Sequence, residues 1–149
     1  MDLSIIVPVY NEQDNIPILY EALLNVSNSF NKSWELLFVN DGSQDGSLTV
    51  LKELANKDPE HVRVISFRRN FGQTAAIAAG IDHSHGEIIV LLDADMQNDP
   101  IDIPVLLSKL EEGYDVVSGW RNKRQDSFVS RTLPSQLANK LISWVTGVH

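Results

Sequence analysis

Short apolar runs rich in β-branched residues recur along this chain at residues 3–9, 35–39, 62–67 and 87–92, with a fifth expected at 114–119. Runs of this length, apolar almost throughout, read as strands buried on both faces. The stretches between them carry helical spacing instead. Ile16, Leu19, Leu23 and Val26 follow Asp14; Leu48, Leu51 and Leu54 follow Asp45; residues 74–81 are rich in Ala; and Pro100 opens a run with Ile103, Leu106, Leu107 and Leu110. The order β-α-β-α-β-α-β-α-β implies right-handed crossovers and an α/β, Rossmann-like, mainly parallel sheet with helices on both faces. Segments 26–33 and 122–127 read as open loops, the first rich in Asn and Ser, the second in charge.

At 149 residues and 43% apolar content the chain can build a core without staples, since a domain of this size buries roughly 68–70% of its unfolded surface. It has no cysteine, which removes disulfides, zinc-thiolate sites and thiol nucleophiles. No apolar run approaches the ~20 residues of a membrane-spanning helix, and the N-terminus lacks the layout of a signal peptide, so a cytoplasmic chain is expected. The net charge of −8 argues against nucleic-acid binding. It is unevenly spread: residues 1–115 hold 7 basic against 19 acidic side chains, whereas residues 116–149 hold Arg121, Lys123, Arg124, Arg131 and Lys140 against Asp126 alone. Residues 128–148 place Leu133, Leu137, Leu141, Trp144 and Val145 near one face of an amphipathic helix.

Ligands of open parallel sheets bind beyond the carboxyl ends of the strands. Here those ends are polar: Pro8-Val9-Tyr10-Asn11-Glu12, Asn40-Asp41-Gly42-Ser43, Arg68-Arg69-Asn70-Phe71-Gly72 and Asp93-Ala94-Asp95-Met96-Gln97. Strand-like alternation would put the oxygens of Asp93, Asp95 and Gln97 on one side, a donor set suited to Mg²⁺ or Mn²⁺ bound together with substrate phosphates. Taken alone, acids at a strand end also cap turns, and the Asn40–Ser47 run is ordinary turn chemistry. Arg68, Arg69 and Gly72 at a helix start suit an anion, with surface solvation as the plainer alternative. There is no GxGxxG after the first strand, no GxxxxGK[ST], no GxSxG and no HExxH. Of the four histidines, His83 and His85 read as a solvated helix end.

Taken together, Ile6-Val7-Pro8-Val9-Tyr10-Asn11-Glu12, Asn40-Asp41-Gly42-Ser43 and Asp93-Ala94-Asp95-Met96-Gln97 resemble family-2 glycosyltransferases of the GT-A fold, and within them the dolichol/polyprenyl-phosphate sugar transferases. The resemblance runs through essentially the whole chain. It implies that Pro8, Tyr10, Asn11, Glu12 and Asp41 hold the nucleoside, with Arg69 and Gly72 beside them. It further implies that Asp93 supports ribose and metal, that Asp95 and Gln97 ligate the divalent ion, and that Arg121, Arg131 and Ser135 hold an acceptor phosphate. Asp93, Asp95 and Arg121 are accordingly the expected catalytic residues. Many relatives have Asp where this chain has Asn40; Asp41 is retained. Relatives also continue beyond the position of His149, so residues 1–127 are expected to be the nucleotide-sugar core and 128–149 the start of an acceptor and membrane-interface segment.

The implied reaction is transfer of a sugar from a nucleotide diphosphate, with UDP favoured, to a polyprenyl phosphate at the inner face of the plasma membrane. An acceptor phosphate with a second pKa near ~6 is already largely ionised at neutral pH and needs no general base. Single displacement with inversion at the anomeric carbon is therefore expected, with the amphipathic helix lying on the membrane surface. The alternatives are a family-2 transferase acting on a sugar hydroxyl, a doubly wound oxidoreductase, and a nucleotide-binding fragment without turnover.

Overall fold

The computed structural model describes residues 1–119. The chain divides into two units, Met1–Val117 and Ser118–His149, and the fold described below belongs to the first. The expected boundary after residue 127, the loop at 122–127 and the helix at 128–148 lie outside the described residues.

Four strands alternate with helices: β1 (Leu3–Val9), α1 (Asn15–Ser27), β2 (Trp34–Asn40), α2 (Ser47–Lys57), β3 (Val62–Ser66), α3 (Gln73–His83), β4 (Ile88–Leu91) and α4 (Ile103–Glu111), the last entered through a 3₁₀ turn at Pro100–Asp102. All pairings are parallel, in the order β3-β2-β1-β4. The chain therefore grows outward in one direction from β1 to β3 and then crosses to the other side of β1 to lay down β4. That reversal makes the gap between the ends of β1 and β4 a topological switch point, where open α/β sheets bind ligands.

Strand alternation sorts the core into two layers. Leu3, Ile5, Val7 and Val9 of β1 and Trp34, Leu36 and Phe38 of β2 pack with α1, α2 and α4 residues such as Leu19, Leu51 and Leu107. Ile6 and Val39 face the other way, against Ala76 of α3. Helices thus cover both faces. Every residue of β2 is buried, as a central parallel strand requires.

The structure departs from the sequence expectations in particular places. Residues 114–119 form no strand; Val116 is 83% exposed, and among the described residues this run has no sheet surface to pack on, so its backbone is left to solvent. The loop expected after α1 is present from Asn28 to Ser33 and mostly exposed, but its Phe30 is buried edge-on against Trp34 at 6.1 Å. His83 is exposed as expected. His85 is exposed too, yet its backbone N–H donates to the buried Glu35 at 2.6 Å.

That carboxylate anchors the edge of the sheet opposite the strand ends just discussed. Glu35 also accepts from Ser4 Oγ at 2.6 Å and from Arg63 Nη1 at 2.7 Å. Burial pushes its carboxyl up, but the bonds from Ser4, Arg63 and the His85 N–H outweigh it and hold it below the ordinary range. A second cluster joins α1 to the end of α2. Tyr20 donates to Asp58 at 3.0 Å, and His61, stacked on Trp34 at 4.4 Å, also contacts that carboxylate. Burial, followed by the bond to Asp58, pushes the Tyr20 hydroxyl up to about 12.

Candidate functional site

The loops after β1 and β2 are laced to each other before they contribute to any site. Asn11 has φ 56 and turns its backbone N–H to Ser43 Oγ at 3.0 Å, while its side-chain oxygen accepts from the Gln44 N–H at 2.8 Å. Glu12 N–H donates to the buried Ser47 hydroxyl at 2.9 Å, and Gln13 takes the Gly46 N–H at 2.8 Å. Asp45 accepts the N–H groups of Ser47 and Gln13. Desolvation raises its pKa, but these bonds overcome it and leave the carboxyl lowered. Asn40, also buried, bonds Ser66 Oγ at 3.1 Å and the Ser43 N–H at 3.2 Å.

Asp41 ties the end of β2 to the start of α3. Its two oxygens accept the N–H groups of Phe71 at 2.7 Å and Gly72 at 2.9 Å, although 30 residues of chain lie between. The carboxylate, 3% exposed, holds the two residues that lead into α3 rather than its first turn, and it lies beside the helix N-terminus, where the dipole favours negative charge. Gly72 has φ 95, a conformation that an L side chain rarely adopts. Gly42, with φ 67, passes so close to the Arg69–Asn70 backbone that a Cβ there would overlap it.

Strand β4 ends at Leu91, so strand alternation does not extend through the acidic motif as the sequence led us to expect. Met96 takes φ 60 and reverses the chain, and Asp95 Oδ1 accepts the Gln97 N–H at 3.0 Å, closing a turn. Asp93 is held differently. Its Oδ1 accepts from the Gln73 side-chain amide at 2.9 Å, and its Oδ2 lies 3.4 Å from Asn98 Nδ2.

These loops enclose an open cleft of about 350 Å³ at the switch point. From β1 and its loop come Pro8, Val9, Tyr10 and Glu12, with Asp41 behind them. Asn70, Gly72 and Gln73 form one wall and Asp93, Ala94 and Asp95 another. Seven of the expected residues therefore meet in one place: Pro8, Tyr10, Glu12, Asp41, Gly72, Asp93 and Asp95. Tyr10 is 43% exposed, which makes it available to a planar ligand rather than committed to the core. Asn11, Arg69 and Gln97 do not line the cleft. The Arg69 guanidinium lies over the Phe71 ring at 4.8 Å, and the Gln97 side chain is exposed. Arg121, Arg131 and Ser135 lie outside the described residues. Sequence reasoning missed Gln73 as a cleft residue; its signal was its place as the first residue of α3, directly after the Gly72 turn.

Asp93 and Asp95 fit a hard divalent cation. Such ions use one or two carboxylates together with waters and substrate phosphates rather than an all-protein cage. No group of three or more His, Cys, Asp or Glu side chains gathers among the described residues. The cleft thus combines two carboxylates for a cation, an exposed aromatic ring, and the N-terminal turn of α3.

Residues 4–146 match the glycosyl transferase family 2, and the chain belongs to that family. Its parallel sheet and covering helices are those of the GT-A glycosyltransferases. The chain is 45% identical over 147 residues to an undecaprenyl-phosphate 4-deoxy-4-formamido-L-arabinose transferase of Shewanella sediminis, with 99% of this chain and 44% of the relative covered. It is 41% identical over 149 residues to a dodecaprenyl-phosphate galacturonate synthase of Rhizobium johnstonii, again covering 99% and 44%. The chain thus spans less than half the length of these relatives. Among solved structures it resembles the mannosyltransferase PcManGT of Pyrobaculum calidifontis in complex with GDP-Man and Mn²⁺, at 27% identity and a TM-score of 0.51 over 62% of this chain and 27% of that one.

Proposed function

We propose that this chain is the donor-binding part of an inverting glycosyltransferase that moves a sugar from a nucleotide diphosphate, UDP being favoured, to a polyprenyl phosphate. The reading is carried by the meeting of the Asp93 and Asp95 carboxylates with Tyr10 and Asp41 in one cleft at the switch point of the sheet. Relatives at 45% and 41% identity support the acceptor class, because their names share a polyprenyl phosphate while differing in the sugar.

In this account Pro8, Tyr10, Glu12 and Asp41 hold the nucleoside. Tyr10 offers a ring face to the base, and the Asp41 oxygens keep acceptor capacity for a ribose or base donor beyond the two N–H groups they already take. Asp93 and Asp95 hold Mg²⁺ or Mn²⁺, with Gln97 recruited from the neighbouring turn when the donor binds. When bound, the ion supplies positive charge where the leaving diphosphate develops negative charge. Gly72 and the first turn of α3 present backbone N–H groups and a favourable dipole to the same diphosphate, and Arg69, whose guanidinium lies over the Phe71 ring, adds positive charge nearby. Arg121, Arg131 and Ser135 receive the acceptor phosphate. That phosphate is largely ionised at neutral pH, so it attacks the anomeric carbon without a protein base.

The reaction would take place at the inner membrane face. The basic residues of 116–149 would face anionic lipid, and no described helix is long and apolar enough to cross a bilayer. The test is transfer of labelled sugar from UDP-sugars to undecaprenyl phosphate by the full-length protein, with the anomeric configuration of the product read by NMR. Inverted product, lost in Asp95→Asn, is expected; product with retained configuration would contradict the single-displacement mechanism.

A further inference from the structure

Two carboxylates from different strands grip the same short stretch of chain at the start of α3. Asp41, at the end of β2, takes the Phe71 and Gly72 N–H groups at 2.7 and 2.9 Å. Asp93, beyond the end of β4, takes the Gln73 side-chain amide at 2.9 Å. These strands are not neighbours; β1 runs between them. Residues 71–73 therefore bridge the cleft from its Asp41 wall to its acidic wall.

We infer that Gln73 is a positioning residue, fixing the Asp93 carboxylate through its side-chain amide so that the acidic motif is set for the divalent cation before donor arrives. The inference rests on the proposed function and deepens it. Position and chemistry both fit. Gln73 is the first residue of α3, and its backbone follows a glycine at φ 95 whose own N–H is pinned by Asp41. Its amide thus leaves a clamped backbone and reaches across to the segment after β4, 20 residues further along the chain. A neutral donor orients a carboxylate without neutralising it, whereas a guanidinium or ammonium there would compete with the cation for Asp93. Asp95 is held within its own loop through the Gln97 N–H, so the tie from α3 falls on Asp93. Groups that hydrogen-bond a metal-ligating side chain from behind fix its orientation, and removing one costs roughly 10- to 100-fold in metal affinity.

The test uses Gln73→Met, of similar length without an N–H, and Gln73→Ala as a second variant. Mn²⁺ is titrated calorimetrically into protein saturated with UDP or GDP, and the same nucleotide is titrated into protein held in EDTA. The expected result is an Mn²⁺ Kd raised about tenfold or more in both variants, a larger factor than any change in the metal-free nucleotide affinity, with the melting temperature kept at the wild-type value. An unchanged Mn²⁺ Kd overturns the inference. So does a parallel loss of both affinities with a lowered melting temperature, which marks a merely structural role. A wild-type chain that binds neither nucleotide under any condition overturns the proposed function itself and the inference with it, an outcome distinct from the other two.

Discussion

At the scale of single residues, Asp41 shows how one side chain serves fold and site together. Its carboxylate is nearly buried and satisfies two backbone N–H groups at the start of α3. Removing it leaves both donors without a partner and takes negative charge from the helix N-terminus. Asp41→Ala is therefore expected to lower unfolding free energy by about 1–3 kcal/mol in urea titrations. A change within ~0.5 kcal/mol, as for ordinary surface substitutions, would show that these bonds do not stabilise the fold. The motif Asn40-Asp41-Gly42-Ser43 was legible as a strand-end turn, and Asp41 lines the cleft beyond the strand ends. That Asp41 anchors a helix 30 residues away was not legible, because that contact is tertiary. Asn11 was expected in the nucleotide site with its neighbours, but its left-handed backbone turns it to the Gln44 N–H instead. Spacing alone does not report a positive φ at a non-glycine residue, and Met96 was missed as a chain reversal for the same reason.

At the scale of elements, the four strands and four helices were readable because most carry an apolar run that packs into the core, although β4 is only half-buried with Leu91 exposed, and the observed limits differ from the expected ones by up to three residues. The expected fifth strand failed because β-propensity is a statement about fitting a half-buried sheet surface, and residues 114–119 have no such surface among the described residues. The starts of β1, β2 and β3 and the loop before β4 are held by Glu35 with Ser4, Arg63 and the His85 N–H. Against the upward push of burial, the bonds from Ser4, Arg63 and the His85 N–H hold the Glu35 carboxyl below its ordinary value of 4.5. Its contribution is therefore complete above that value and is lost as pH falls through the lowered one. Glu35→Gln should destabilise the protein at neutral pH and flatten the acid side of its stability profile. A profile as steep as wild type below pH ~4 would show that other carboxylates carry the acid sensitivity. Tyr20 acts in the opposite direction: raised to about 12, it favours the fold below the ordinary tyrosine value of 10.0 and loses that contribution as pH rises past it.

At the scale of the whole molecule, the order β3-β2-β1-β4 locates the cleft, since it brings the ends of β1 and β4 together where, among the described residues, the direction of strand addition reverses. The alternation of strands and helices made that location readable, and three short motifs made the family readable. In the proposed account the acceptor side falls to residues 120–149, which lie outside the described residues, and the chain spans less than half the length of the relatives it matches. If Arg121 and Arg131 receive the acceptor phosphate, replacing either with Ala in the full-length protein should raise the KM for polyprenyl phosphate at least ~10-fold, in line with loss of a charge-assisted bond. UDP affinity should stay unchanged; a loss of UDP affinity instead would move these residues to the donor side. The central claim, that the cleft binds a nucleoside diphosphate together with a divalent cation held by Asp93 and Asp95, is tested most directly by one calorimetric experiment. UDP and GDP are each titrated with and without Mn²⁺ into the 149-residue chain and into Asp95→Ala. The account predicts binding of one nucleotide, strengthened by Mn²⁺ in the wild type and not in the mutant. Binding that ignores Mn²⁺, or a mutant that keeps the full metal effect, would contradict it.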